Sequence, residues 1–162
     1  MLSELNRHND SIRYYLRAIR MNPNDIEILT RLGYELNMIK HYNESLSYTN
    51  RLLKIQPKEI DGLINKGIAM HGLGRYAEAL QYFDKALKLD PRETNALYQK
   101  AKSMARIGKD GMVISLLKRI SRLEHKDNAY MHSLIKHAKN EPEFAKFTQT
   151  HKLLDHHGHI HH

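Results

Sequence analysis

Apolar residues recur along this chain on two scales. The short one is helical: between Ile60 and Glu93, the residues Leu63, Gly67, Met70 and Leu73 are spaced by four, three and three, which is one face of a helix. Gly74-Arg75 ends that face, and Ala79, Leu80, Phe83, Ala86, Leu87 and Leu89 build a second one that Asp90-Pro91 closes. The long scale is 34 residues. Leu5, Ile39, Leu73 and Ile107 form one apolar column at that period; Ile12, Leu46, Leu80 and Ile114 form a second, and Met21, Ile55, Leu89 and Leu123 a third. Pro23, Pro57 and Pro91 keep the same interval. A proline costs about 3 kcal/mol inside a helix, so these three mark turns between helix pairs. The pattern predicts helix hairpins near residues 26–55, 60–89 and 94–123.

Small residues fall where the two helices of a hairpin must approach: Gly33, Gly67 and Ala101 in one column, Ser45 and Ala79 in another. Gly67, the run Leu73-Gly74-Arg75-Tyr76-Ala77-Glu78-Ala79-Leu80, Phe83, Ala86 and Leu87-Lys88-Leu89-Asp90-Pro91 together resemble a tetratricopeptide repeat. The resemblance implies an all-α, right-handed α-solenoid of helix hairpins with a C-terminal capping helix region. Residues 26–59 match through Leu29, Leu32, Gly33, Tyr42, Leu46, Ile55 and Pro57, although Ser45, Thr49 and Leu52 replace the usual small, aromatic and small residues. Residues 94–127 diverge, with Asp110 in place of the loop tyrosine and His125 in place of the proline.

The expected organisation is therefore a partial first repeat at 1–25 with its second helix at 9–21, repeats at 26–59 and 60–93, and a divergent repeat at 94–127. The missing first helix reads as a chain cut from a longer protein. Capping helices follow at 128–154, carrying Met131, Leu134, Ile135 and Ala138 and then Phe144, Phe147, Leu153 and Leu154. The tail at 155–162 is rich in histidine and reads as an appended purification tag.

Chemistry is harder to find. The 162 residues include no cysteine, which removes disulfides and thiol catalysis and fits a reducing compartment. No apolar run is long enough for a membrane span and the N-terminus is too polar for a signal peptide, so a cytoplasmic location without membrane insertion is expected. Phosphate-loop, dinucleotide, serine-hydrolase and HExxH signatures are missing, and Glu141 with Glu143 suits a helix start better than acid–base work. Among the histidines, His8 and His41 fall at turn positions, equivalent to Tyr76 and to the adjoining Arg75, and His132 and His137 are five apart, a poor spacing for a shared metal. The reading is a non-enzymatic module with no cofactor and no metal.

In a stack of hairpins the first helices line the inner side. The positions one step round from their packing face are Tyr34 and Asn37, then Ile64, Ile68 and His71, then Tyr98 and Lys102, with Lys136 from the capping region. These eight form the expected peptide-binding groove, apolar and aromatic at its centre and basic towards its end. The family resemblance implies protein–protein interaction and scaffolding. The clamp by which some members hold chaperone C-termini is poorly matched: Asn65 fits, but Thr30, Tyr34, Asn95 and Gln99 do not. Between Arg92 and Lys126 nine basic residues stand against three acidic ones. That imbalance favours an acidic protein segment as partner, with nucleic-acid binding through the basic fourth repeat as the alternative and nucleic acid disfavoured because stacking aromatics are scarce there.

Overall fold

The computed structural model describes residues 2–124. The expected capping helices and the histidine-rich tail, including Lys136, lie outside the described residues. Seven helices follow one another without a strand among the described residues: α1 Leu2–Met21, α2 Ile26–Met38, α3 Tyr42–Ile55, α4 Ile60–Gly72, α5 Tyr76–Leu89, α6 Thr94–Arg106 and α7 Asp110–Leu123. The chain divides into two compact units at Pro91–Arg92.

In the first unit, α1 packs on α2, α2 pairs with α3 and α4 with α5, while α3 and α2 both pack on α4. This is a chain of helix hairpins of the all-α solenoid class. Its core begins with Ile12, Ile19, Leu29, Leu32, Leu36 and Leu52, against which Tyr15, Leu16, Ile39 and Tyr48 pack. The next hairpin buries Leu63, Ala69, Met70, Ala79, Phe83 and Ala86. In the second unit, α6 pairs with α7, and Ala96, Leu97, Ala101, Val113, Leu117 and Ile120 are buried.

Turn chemistry repeats with the sequence. Each hairpin bends at a residue with positive φ, namely Lys40 at 65°, Gly74 at 79° and Gly108 at 79°, one per 34 residues. The next residue's N–H reaches back to the last helical turn, from His41 to Leu36 O at 2.8 Å, Arg75 to Met70 O at 2.8 Å and Lys109 to Met104 O at 2.9 Å. These are Schellman closures, which satisfy carbonyls that a helix end otherwise leaves open. Between hairpins, Asn22 O accepts from Asp25 N and Gln56 O from Glu59 N, so Pro23 and Pro57 occupy the second position of a β-turn, where their fixed φ belongs. Asp25 then caps α2 by accepting from Ile28 N at 3.0 Å.

One expectation needs correction. The first helix is uninterrupted from Leu2 rather than starting at Asn9, so His8 lies inside a helix and not in a turn. Asn6 shares the column of Lys40, Gly74 and Gly108, yet it lies inside the helix, where propagation adds a hydrogen bond for each residue fixed. The apolar column of Met21, Ile55 and Leu89 is periodic but exposed, Met21 at 88%.

The close approaches are as the small residues require. A Cβ on Gly67 would strike the Phe83 ring, and one on Gly33 would lie 2.6 Å from Thr49 Oγ1. Gly72 meets the Tyr42 ring in the same way, a contact that the 34-residue columns did not single out.

Candidate functional site

Helix α2 turns one face outward from its buried seam of Leu29, Leu32, Gly33 and Leu36. Glu27, Arg31, Tyr34 and Met38, at spacings of four, three and four, form its exposed stripe. Two of these are large apolar side chains left in water, Tyr34 at 41% and Met38 at 49% exposure. Arg31 is fixed beside them. Its guanidinium lies 5.5 Å from the Tyr34 ring centre and 6.0 Å from that of Tyr15, donates to Tyr15 Oη at 3.3 Å, and approaches Glu35 Oε1 at 3.6 Å. The Tyr15 hydrogen bond holds its pKa above the ordinary arginine value, against the opposing effect of partial burial. Arg31 is therefore a permanent cation next to an exposed aromatic ring.

The expected groove residues separate by burial. Ile68 and His71 on α4 are half-buried, and the His71 ring meets Tyr76 edge-on at 5.0 Å. Ile64 is 2% exposed and Asn37 7%, so both belong to the packing rather than to an open surface. The cause is the direct contact of α2 with α4. Asn37 Nδ2 donates to Asn65 O at 3.0 Å, and Asn65 Nδ2 donates to Thr30 O at 3.2 Å, which stitches the two first helices together. In the second unit Tyr98 and Lys102 sit half-buried on α6.

One feature had no signal in the 34-residue columns. Glu35 on α2 is buried, yet its Oε2 lies 2.6 Å from His8 Nδ1 on α1 and its other oxygen faces Arg31. A buried carboxylate needs such partners, and here they tie α1 to α2. His41, by contrast, is an exposed turn residue paired with Glu44 at 2.9 Å. No group of three or more metal-ligating side chains occurs among the described residues, and none of their helices is long and apolar enough to cross a membrane.

Comparison with known proteins bears on this arrangement. Two profiles described as tetratricopeptide repeat match the chain, one over residues 60–93 and one over residues 1–25. No curated protein sequence matches. Among solved structures, TTC0263, described as a thermophilic TPR protein in Thermus thermophilus, is similar with a TM-score of 0.71 at 20% identity, covering 93% of this chain and 85% of that one. MamA of RS-1 is similar at a TM-score of 0.64 and 19% identity, covering 76% of this chain and 70% of that one. MamA of MSR-1 follows at 0.61 and 22%, covering 76% and 71%. At these identities the likeness speaks for the fold.

Proposed function

This chain belongs to the tetratricopeptide-repeat family, whose repeats support protein–protein interaction, and from that premise we propose that α2 and α4 of its first unit hold a peptide segment of a partner protein. The observation that carries the reading is the exposed pair Tyr34 and Met38 on the outward stripe of α2, with the Arg31 cation pinned against the tyrosine ring. An exposed aromatic and a flexible thioether give apolar burial without a fixed shape, and aromatic side chains of this kind anchor protein interfaces. Ile68 and His71 on α4 extend the surface, whereas Asn37 ties α2 to α4 and Ile64 is buried. Because those helices are already packed, the protein loses little conformational entropy on binding. The chain acts in this reading as a non-enzymatic scaffold or adaptor in the cytoplasm. A pull-down compares the wild type with Tyr34→Ala/Met38→Ala: loss of partners that the wild type retains is expected, and equal recovery of every partner refutes the groove. Both side chains are exposed, so the variant stays folded by circular dichroism.

A further inference from the structure

The second helices of the hairpins carry a charge pattern that the groove does not use. On α1, α3 and α5, residues at matching positions are Arg17, Arg51 and Lys85, and three residues further on Arg20, Lys54 and Lys88. All six are exposed, and two cations three apart on a helix share a face. The rule repeats on α7 of the second unit, where Arg119 and Arg122 hold the same places. The final-turn cations Arg20, Lys54 and Lys88 also suit the helix dipole, but a single charge per helix end would do that.

Pairing separates these cations from the acidic residues of the same helices. Asp10, Glu44 and Glu78 form an acidic column, and each has a local partner, Arg13, His41 and Arg75 respectively. The six basic residues have no carboxylate within 4.0 Å among the described residues. Arg51 and Lys85 instead lie over Tyr48 and Tyr82, at 5.4 and 4.7 Å from the ring centres. Arg51 also donates to Pro23 O at 3.4 Å, which brings α3's cation to the turn that follows Arg20 and Met21. Arg17 and Arg20 line a surface cleft on α1 with Asp10, Arg13 and Leu16.

We infer that this basic rim of the first unit, on α1, α3 and α5, is a second docking surface and that its occupant is an acidic polypeptide segment of a partner protein. Charge complementarity selects an anionic chain that crosses the three helices and meets a cation pair on each. Single-stranded nucleic acid fits less well, because it needs open aromatic faces for stacking: Tyr48 carries Arg51, and Tyr82 carries Lys66 and Lys85. Exposed Met21, Ile55 and Leu89 at the adjoining helix ends offer apolar contacts to the hydrophobic residues of such a segment.

The test titrates the full chain with a labelled glutamate-rich peptide, an oligouridylate of equal charge, and vesicles containing phosphatidylserine. The peptide is expected to bind most tightly of the three and to weaken with added salt. The variant Arg20→Gln/Lys54→Gln/Lys88→Gln, which removes charge without opposing the helix dipoles, should bind the peptide about tenfold more weakly. Lys54→Arg/Lys88→Arg should retain binding, and so should Tyr34→Ala, which belongs to the other surface. No peptide binding, undiminished binding by the glutamine variant, loss on Tyr34→Ala, or tighter binding of the oligouridylate or the vesicles would each overturn the assignment.

Discussion

At Gly67 the absence of a single methyl group decides how a hairpin closes. The Phe83 ring fills the space a Cβ would need, and Phe83 is itself fully buried between Ala79 and Ala86. Gly67→Leu should therefore cost about 1–3 kcal/mol through overpacking. Phe83→Ala should cost about 3–5 kcal/mol through the cavity it leaves. The two occupy one volume, so the double variant should lose less than the sum of the singles, and urea denaturation of all four proteins measures that coupling. Additive losses would deny the contact. A second test concerns Glu35: His8→Ala removes the closer partner of a buried carboxylate, with an expected cost of about 1–3 kcal/mol. The first of these relations was legible in the sequence, since a glycine column facing an aromatic position signals close helices. The second was not, because His8 and Glu35 are 27 residues apart and off the 34-residue period.

Among the elements, the hairpin turns show how one backbone requirement is met by unlike residues. Lys40, Gly74 and Gly108 adopt the same left-handed conformation, but only lysine has a Cβ that resists it. That conformation costs an ordinary L-residue about 1–2 kcal/mol, so Lys40→Gly should raise stability by about 1 kcal/mol after glycine's larger unfolded-state entropy is counted. Gly74→Ala and Gly108→Ala should each lower it by a similar amount, and thermal unfolding followed by circular dichroism checks all three. The periodic columns predicted these turns because a break in the helical face is visible wherever two faces follow one another. They misplaced the start of the first helix, which passes through the Asn6 column position without a turn, because a column position marks where a turn can form and does not force one. They also could not tell an apolar column that packs from one that is left in water, as with Met21, Ile55 and Leu89.

On the scale of the whole molecule, repeats that contact only their neighbours transmit a disturbance over short distances. Ala101 on α6 is fully buried in the unit that begins at Arg92. Ala101→Leu should accelerate amide exchange in α6 and α7 while leaving the protection of α2 and α3 unchanged, as read by native-state hydrogen exchange. Uniform loss of protection along the chain would mean that it unfolds as one cooperative body.

The sequence by itself determined that the chain is helical, that its helices come in pairs, where each pair bends, and which family the repeats resemble. Each of these follows from local geometry copied every 34 residues, and repetition makes a weak local signal strong. What only the tertiary structure decided is which side chains of the expected groove remain available. Position on a helix wheel places Ile64 and Asn37 beside Tyr34 and Ile68, but in the fold the first two are buried, Asn37 by its hydrogen bond across to α4, while Tyr34 and Met38 stay in water. Burial depends on how near the next helix comes, and no single helix encodes that distance.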